Sequence, residues 1–133
     1  MGHGYFTVFG YGFIVDRKSF IRQVNCDDEC DGVHVDWKEL KYWEALLTKE
    51  HGVQIHLESE NAEDKDAKYG FLCFTDCQYW QDARGACGRV QKVKLDEAMK
   101  KITPERVEKM RAFLQNEGIV FFEPGLYMYS YED

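Results

Sequence analysis

Both ends of the chain carry strand-forming sequence. Residues 5–16 are rich in aromatic and β-branched residues, and residues 119–131 end in the alternating segment LYMYSY. A strand with an apolar face must bury it against other elements, so we expect both ends to dock into one sheet. Gly10 and Gly12 interrupt the first strand, and glycines inside a strand mark a bulge or the close approach of another backbone.

Capping signals predict two helices. Asp36 begins the first and Gly52 ends it, whereas the second begins at Thr103, has Pro104 in its first turn and stops at Gly118. Their apolar stripes are Trp37, Leu40, Trp43 and Leu47 in the first helix, and Val107, Met110, Phe113 and Leu114 in the second. A shorter helix that begins near residue 16 would bury Phe20, Ile21 and Val24.

The segments between these helices predict a central hairpin. Residues 53–59 alternate between an apolar face and a wet face that holds Gln54, His56 and Glu58, and residues 69–75 are the expected antiparallel partner. Residues 78–88 read as irregular and 89–95 as a further strand. Asp96 then caps a short helical turn that ends near residue 102.

Together these elements predict a single α+β domain over residues 1–133. We expect a four- or five-stranded antiparallel or mixed sheet with helices packed mainly on one face, in an order that the sequence does not fix. A chain of 133 residues with 44% apolar residues supplies one core, and no repeat or linker divides it.

The charge and the cysteine content of the chain limit the cellular locations and the binding partners that we expect. The net charge of −7 disfavours binding to nucleic acid and to anionic membranes, although residues 81–111 form a basic segment between two acidic ones. We expect no membrane contact and no secretion, because no apolar run of membrane length exists and the start MGHGYFTVFG lacks signal-peptide blocks. Five cysteines then favour free thiols and a cytoplasmic location.

An acidic segment invites metal-binding interpretations. Four residues match positions 1, 3, 5 and 6 of a calcium-binding loop: Asp27, Glu29, Asp31 and Gly32. The twelfth position, which requires a bidentate glutamate, holds Lys38 instead. Cys26, Cys30 and His34 have the wrong spacing for a common zinc knuckle, and the sequence leaves open whether they bind metal. We predict no metal and no other cofactor.

Cys87 is the one cysteine with a reactive context. Arg84 and Arg89 flank it, and nearby cations lower the pKa of a thiol. No base can be assigned to it, and the three serines lie outside any nucleophile motif. We therefore predict no catalytic residue, and the reactivity of Cys87 stays open.

Two groups of aromatic residues are candidate binding surfaces. The first mixes rings with cations, as surfaces for single-stranded nucleic acid do, and consists of Tyr79, Trp80, Arg84, Arg89 and Lys92. The second would line one sheet face if the terminal strands are neighbours, and consists of Tyr5, Tyr11, Tyr127, Tyr129 and Tyr131.

The glycine-tyrosine strand at the start and the ending GLYMYSYED resemble those of uncharacterised small acidic proteins of phages and large DNA viruses. The resemblance implies a small host-acting binding protein. We accordingly predict a non-enzymatic binding or inhibitory module that meets a basic protein partner through acidic loops and exposed aromatic residues. The alternative is a small nucleotide- or nucleic-acid-binding domain, or an enzyme, centred on residues 79–94.

Overall fold

The computed structural model describes residues 5–25, 34–57, 68–82 and 92–132, and at Tyr5, Phe6, Asp82, Tyr131 and Glu132 it describes the backbone alone. The elements in chain order are β1 (Tyr5–Asp16), α1 (Arg17–Asn25), α2 (Trp37–His51), β2 (Val53–His56), β3 (Tyr69–Asp82), α3 (Leu95–Lys100), α4 (Pro104–Asn116) and β4 (Gly125–Glu132). The described strands form one antiparallel four-stranded sheet in the order β2-β3-β1-β4. The α+β prediction is confirmed, and the terminal strands are neighbours.

The strand order gives the sheet a split β-α-β topology. β3 lies between β1 and β2 and is antiparallel to both, so β1 and β2 run in the same direction without touching. α1 and α2 belong to the connection from β1 to β2, and α3 and α4 to the connection from β3 to β4.

The predicted helix ends of α2 and α4 are confirmed. The side chain of Asp36 accepts hydrogen bonds from the backbone of Lys38 and Glu39, and Gly52 ends α2 with a φ of 65°. Thr103 caps α4 in the same way, by accepting from the backbone N–H of Arg106. One position on the predicted stripe is wrong: Trp37, the first residue of α2, is exposed.

The main core lies between the sheet and the four described helices, all of which pack on the same sheet face. The helices contribute Phe20, Ile21, Val24, Leu40, Trp43, Leu47, Ala98, Met110 and Leu114, and the sheet contributes Phe13, Val15, Val53, Ile55, Leu72, Phe74 and Cys77. The prediction of helices on one face is therefore confirmed. We call this side the helical face.

Three local predictions after residue 77 are wrong. Residues 78–82 are not irregular but continue β3, because they pair with residues 6–10 of β1. Lys92 to Lys94 form no strand, and Asp96 does not cap α3, because the helix begins at Leu95 and its start receives no side-chain cap. Long-range pairing decides the first case, since the local sequence carries no strand periodicity there. Residues 83–91 lie outside the described part.

The two glycines of β1 mark a bulge, as predicted. Gly10 pairs with Gln78 and Gly12 with Cys73, so residues 74–77 of β3 stand opposite Tyr11 alone. A Cβ atom on Gly12 would overlap the carbonyl oxygen of Leu72 and lie 2.8 Å from the Cα atom of Cys73. Only glycine lets the two backbones approach this closely.

Candidate functional site

The sheet face opposite the helices carries a continuous group of aromatic rings. We call it the aromatic face, and it consists of His56 on β2, Tyr69, Phe71 and Trp80 on β3, Phe122, and Tyr127 and Tyr129 on β4. The ring of Phe71 lies at its centre, with centroids 6.1 Å from His56, 6.0 Å from Tyr127 and 6.4 Å from Tyr129. The face therefore spans the described sheet from one edge strand to the other.

The predicted single row of tyrosines is wrong. Tyr127 pairs with Gly10 and Tyr129 with Val8, whereas Tyr11 pairs with Leu126. Partners across an antiparallel pair share a face, and successive residues alternate. Tyr11 consequently stacks on Phe74 in the main core, while Tyr127 and Tyr129 belong to the aromatic face. The side chains of Tyr5 and Tyr131 lie outside the described part.

Hydrogen bonds to the main chain fix both tyrosines of β4. The hydroxyl of Tyr127 donates to the carbonyl oxygen of Glu123 at 2.7 Å, and that of Tyr129 donates to the carbonyl oxygen of Tyr69 at 3.2 Å. Their rings cover a second small core of Val8, Phe71 and Cys73, each fully buried. Rings held at both ends form a rigid surface, because little rotamer freedom remains to be lost on binding.

A chain of polar side chains crosses the same face beside Trp80. Gln78 donates from Nε2 to Oε1 of Gln54 at 2.7 Å, which leaves its own Oε1, 2.8 Å away, to accept from Nε2 of His56. In this arrangement His56 donates from Nε2. Its centroid lies 4.8 Å from that of Trp80 in an edge-on arrangement.

His56 is where the predicted wet face of β2 is wrong. The side chain is buried, and burial lowers the pKa of its imidazole, against a smaller opposite effect of the hydrogen bond to Gln78. The alternating pattern of β2 predicted an exposed position, because it cannot reveal that Phe71 and Trp80 of β3 pack against the ring. Sequence reasoning missed this residue, and no local signal marks it.

The buried histidine makes stability depend on pH with a defined sign. The unfolded chain takes up a proton at the ordinary pKa of 6.5, and the folded protein does so only at lower pH. The stability that His56 contributes is therefore complete above pH 6.5 and falls as the pH drops through that value toward the lower pKa of the folded state. His51, whose pKa is lowered by burial and then by Lys109, acts with the same sign.

Lowering the pH from about 7.5 to about 5.5 should reduce the free energy of unfolding of His56→Gln by less than it reduces that of the unmodified protein. The variant lacks one group that binds a proton more readily in the unfolded chain than in the folded protein. Urea unfolding at both pH values measures this difference. Val120→Gln, a change at an exposed position without a titratable group, is the control and should keep the original pH dependence. An unchanged pH dependence in His56→Gln would contradict the burial argument.

The two described cysteines of β3 are structural thiols. Both are free and buried. Cys73 donates to the carbonyl oxygen of Cys77 at 3.4 Å, and burial raises the pKa of the Cys73 thiol to about 12. A thiol with such a pKa is not a nucleophile at neutral pH. Within the described residues, no three His, Cys, Asp or Glu side chains come together as metal ligands.

Of the residues predicted from the 79–94 segment, the structure describes three, and two of them lie on opposite faces of the sheet. Tyr79 and Trp80 are successive residues of β3, so Tyr79 points to the helical face, 6.3 Å from Phe9, while Trp80 joins His56 on the aromatic face. Lys92 is exposed in the segment before α3. Arg84, Arg89 and Cys87 lie outside the described residues, as do Cys26 and Cys30 and the acidic residues 27–32 of the calcium interpretation.

In the described part of the chain, the aromatic face combines exposed rings with strand positions that carry no positive charge. Tyr69, Phe122 and Trp80 are 47%, 48% and 39% exposed, and the ring centroids of Tyr69 and Phe122 are 5.7 Å apart. The described strand positions that point to this side include no lysine or arginine. Such a surface suits apolar and hydrogen-bonded contacts better than the binding of phosphate.

Comparisons with protein-family models, with curated proteins and with solved structures gave no match to this chain. None of the helices in the described ranges has the length and apolar character needed to cross a membrane.

Proposed function

We propose that this protein is a non-enzymatic binding module, and that its aromatic face docks a basic protein partner. The observation that carries the proposal is the set of exposed rings on a face whose described strand positions include no lysine or arginine. Tyrosine, tryptophan and phenylalanine are enriched in the cores of protein interfaces, where they supply contact area at a small entropic cost. The three most exposed rings of the face are Tyr69, Trp80 and Phe122.

Charge supports a basic partner. The chain carries −7 at neutral pH, with 24 acidic and 17 basic residues, so a basic protein is attracted and an acidic one repelled. Long-range attraction of this kind raises the association rate, and salt screens it. We propose a cytoplasmic site of action, which free thiols such as Cys73 and Cys77 favour.

An inhibitory role in a host cell, with a viral origin, is part of the same proposal. It is supported by the resemblance of the two terminal strands to uncharacterised viral proteins. A rigid docking surface that occupies a site on its partner would block other ligands from that site, and this is the inhibition we propose.

Matched pairs of substitutions test the docking surface. We expect Trp80→Ala and Phe122→Ser each to reduce capture of the partner by about tenfold or more, because buried aromatic anchors dominate binding energy. Trp37→Ala and Tyr42→Ser remove exposed rings from α2 on the other side of the molecule and should leave capture unchanged. Affinity capture from host extract, quantified by mass spectrometry and repeated at raised salt, gives the measurement.

Two results would refute the proposal. One is equal loss in the α2 controls and in the aromatic-face variants, after circular dichroism has confirmed that all four fold. The other is capture that survives both Trp80→Ala and Phe122→Ser.

Nucleotide or single-stranded nucleic acid is the second candidate, and one observation favours it. Trp80 is partly exposed on a four-stranded sheet opposite the helices, and such aromatic platforms stack bases. The missing cations weigh against it, since phosphate contacts supply most of the affinity of such complexes. Quenching of tryptophan fluorescence by oligothymidylate, lost in Trp80→Ala and kept in Trp37→Ala, would favour this candidate over the first.

A further inference from the structure

The outer edge of β4 offers backbone groups to a further strand. The carbonyl oxygen of Ile14 accepts from the N–H of Phe122 at 2.9 Å, and the N–H of Asp16 donates to the carbonyl oxygen of Val120 at 2.8 Å. Even-numbered residues of β1 therefore turn their backbone groups toward the β4 side. Alternation along β1 extends this to Val8 and Gly10, which pair with Tyr129 and Tyr127.

The residues between those pairs point the other way. If Tyr127 and Tyr129 use their backbone groups on β1, then Leu126, Met128 and Ser130 direct theirs away from the described sheet, of which β4 is the last strand. The side chains of Leu126 and Met128 are 45% and 71% exposed. The edge thus presents alternate hydrogen-bonding groups together with apolar side chains.

The sequence of β4 lacks the features that keep edge strands apart. Exposed edges are normally protected by lysine, proline or an inward-pointing charge, and residues 126–131, LYMYSY, contain none of these. A bare edge of this length pairs readily with an extended peptide.

We propose that β4 binds an extended peptide of the partner as an additional antiparallel strand, and that this peptide alternates apolar residues between basic ends. The inference rests on the proposed function and specifies how the partner is held. Tyr127 and Tyr129 connect the edge with the aromatic face, so one ligand can contact both surfaces.

The acidic residues around β4 favour a basic peptide over a second copy of this chain as the added strand. Exposed Glu123 precedes β4, Glu132 ends it and Asp133 follows, while residues 112–133 include no lysine or arginine. Arg111 offsets one of these charges by a two-pronged ion pair with Glu123, at 2.7 Å for each contact. Pairing β4 with itself would bring the acidic ends of two chains of charge −7 together.

Hydrogen exchange followed by NMR tests the edge on the unmodified protein. The probe is the blocked peptide Lys-Lys-Val-Thr-Val-Thr-Val-Lys-Lys, with a counterpart that has glutamate in place of lysine. In the free protein we expect fast exchange at the amides of Leu126, Met128 and Ser130 and slow exchange at Tyr127 and Tyr129. Saturation with the lysine peptide should slow the first three by about tenfold or more, and the glutamate peptide should leave them unchanged.

Two substitutions of Met128 distinguish peptide binding through the backbone of β4 from binding through its side chains. Met128→Pro removes an outward N–H that β1 does not use, and we expect it to weaken the lysine peptide by about tenfold or more. Met128→Thr keeps the N–H and removes the apolar side chain, so it should bind within about threefold of the unmodified protein. Calorimetric titration measures both, and the exchange experiment decides should the proline variant not fold.

The outcomes keep this inference apart from the proposed function. Binding without protection of the three amides, or equal affinity of both peptides, overturns the edge-strand inference. Protection that appears on raising the protein concentration without peptide overturns it in favour of self-pairing. If partner capture depends on Trp80 and Phe122 while no peptide binds to β4, the docking proposal stands and the edge inference fails.

Discussion

Gly12→Ala is expected to lower the free energy of unfolding by about 3 kcal/mol or more. The new Cβ atom would overlap the carbonyl oxygen of Leu72 and lie 2.8 Å from the Cα atom of Cys73. Both are backbone atoms of β3, so relief requires the strands to separate and not a rotation of a side chain. Such a loss is a large part of a typical domain stability of roughly 5–15 kcal/mol.

Gly125→Ala is the matched control for this loss. Gly125 is the partner of Gly12 across the β1–β4 pair, and the atoms nearest to its added Cβ atom would belong to the side chain of Tyr127, at 3.5 Å or more. We expect a change within about 1 kcal/mol for the control. Urea unfolding of both variants gives the comparison, and equal losses would show that the close approach at Gly12 is not the cause.

The bulge opposite Tyr11, next to Gly12, also positions the aromatic face. It shifts the register between Cys73 and Gln78, and this shift sets where Gln78 and Trp80 stand relative to His56. Separation of β1 from β3 at Gly12 should therefore weaken partner binding as well as stability. The two effects share one cause, since the site is built on the bulged half of β3.

Arg106→Ala is expected to lower the free energy of unfolding by about 2–3 kcal/mol. From α4, the guanidinium donates to a carboxylate oxygen of Asp76 at 2.7 Å, and to the carbonyl oxygens of Lys101 at 2.7 Å and His51 at 3.2 Å. It also lies 5.2 Å over the ring of Phe74. One side chain thus joins α4 to the end of α2, to the segment after α3 and to the bulge of β3.

Most of that loss should come from the two carbonyl oxygens and not from the ion pair. The side chains of Arg106 and Asp76 are 30% and 32% exposed, so solvent screens their attraction and the pair alone contributes about 1 kcal/mol or less. Asp76→Asn should accordingly cost much less than Arg106→Ala.

Lys109→Ala provides the control on the same helix. Lys109 makes one exposed contact, to the carbonyl oxygen of Glu50 at 3.1 Å, and its loss should change stability by about 0.5 kcal/mol or less. Thermal and urea unfolding of the three variants give the ranking. A Lys109→Ala effect as large as that of Arg106→Ala would show that the linkage at Arg106 has been overvalued.

The helix ends, the glycine-marked bulge and the two terminal strands could be predicted from the sequence, because each depends on short-range interactions or on local composition. Asp36, Gly52 and Thr103 define helix ends through hydrogen bonds and dihedral preferences that act within a few residues. Gly10 and Gly12 predicted a bulge or close contact because no other residue fits there. The strands at the two ends followed from composition, since aromatic and β-branched residues suit a half-buried sheet.

The candidate site could be predicted from the sequence only in part. Trp80 was singled out, but for a surface shared with Tyr79, from which the alternation of β3 separates it. His56 was predicted to face water, yet Phe71 and Trp80 bury it. Which residues lie beside a strand position depends on its neighbours in the sheet, and strand neighbours here come from distant parts of the sequence.

The amino-acid order by itself determined an α+β chain with strands at both ends, two well-capped helices, a glycine-marked bulge and a strongly acidic charge, because each of these depends on short-range chemistry or on composition. Only the tertiary structure decided the strand order β2-β3-β1-β4, the extension of β3 through Asp82 and the division of the tyrosines between two faces. The physical reason is that register has a period of two residues, so pairing between distant segments assigns every side chain to one face or the other.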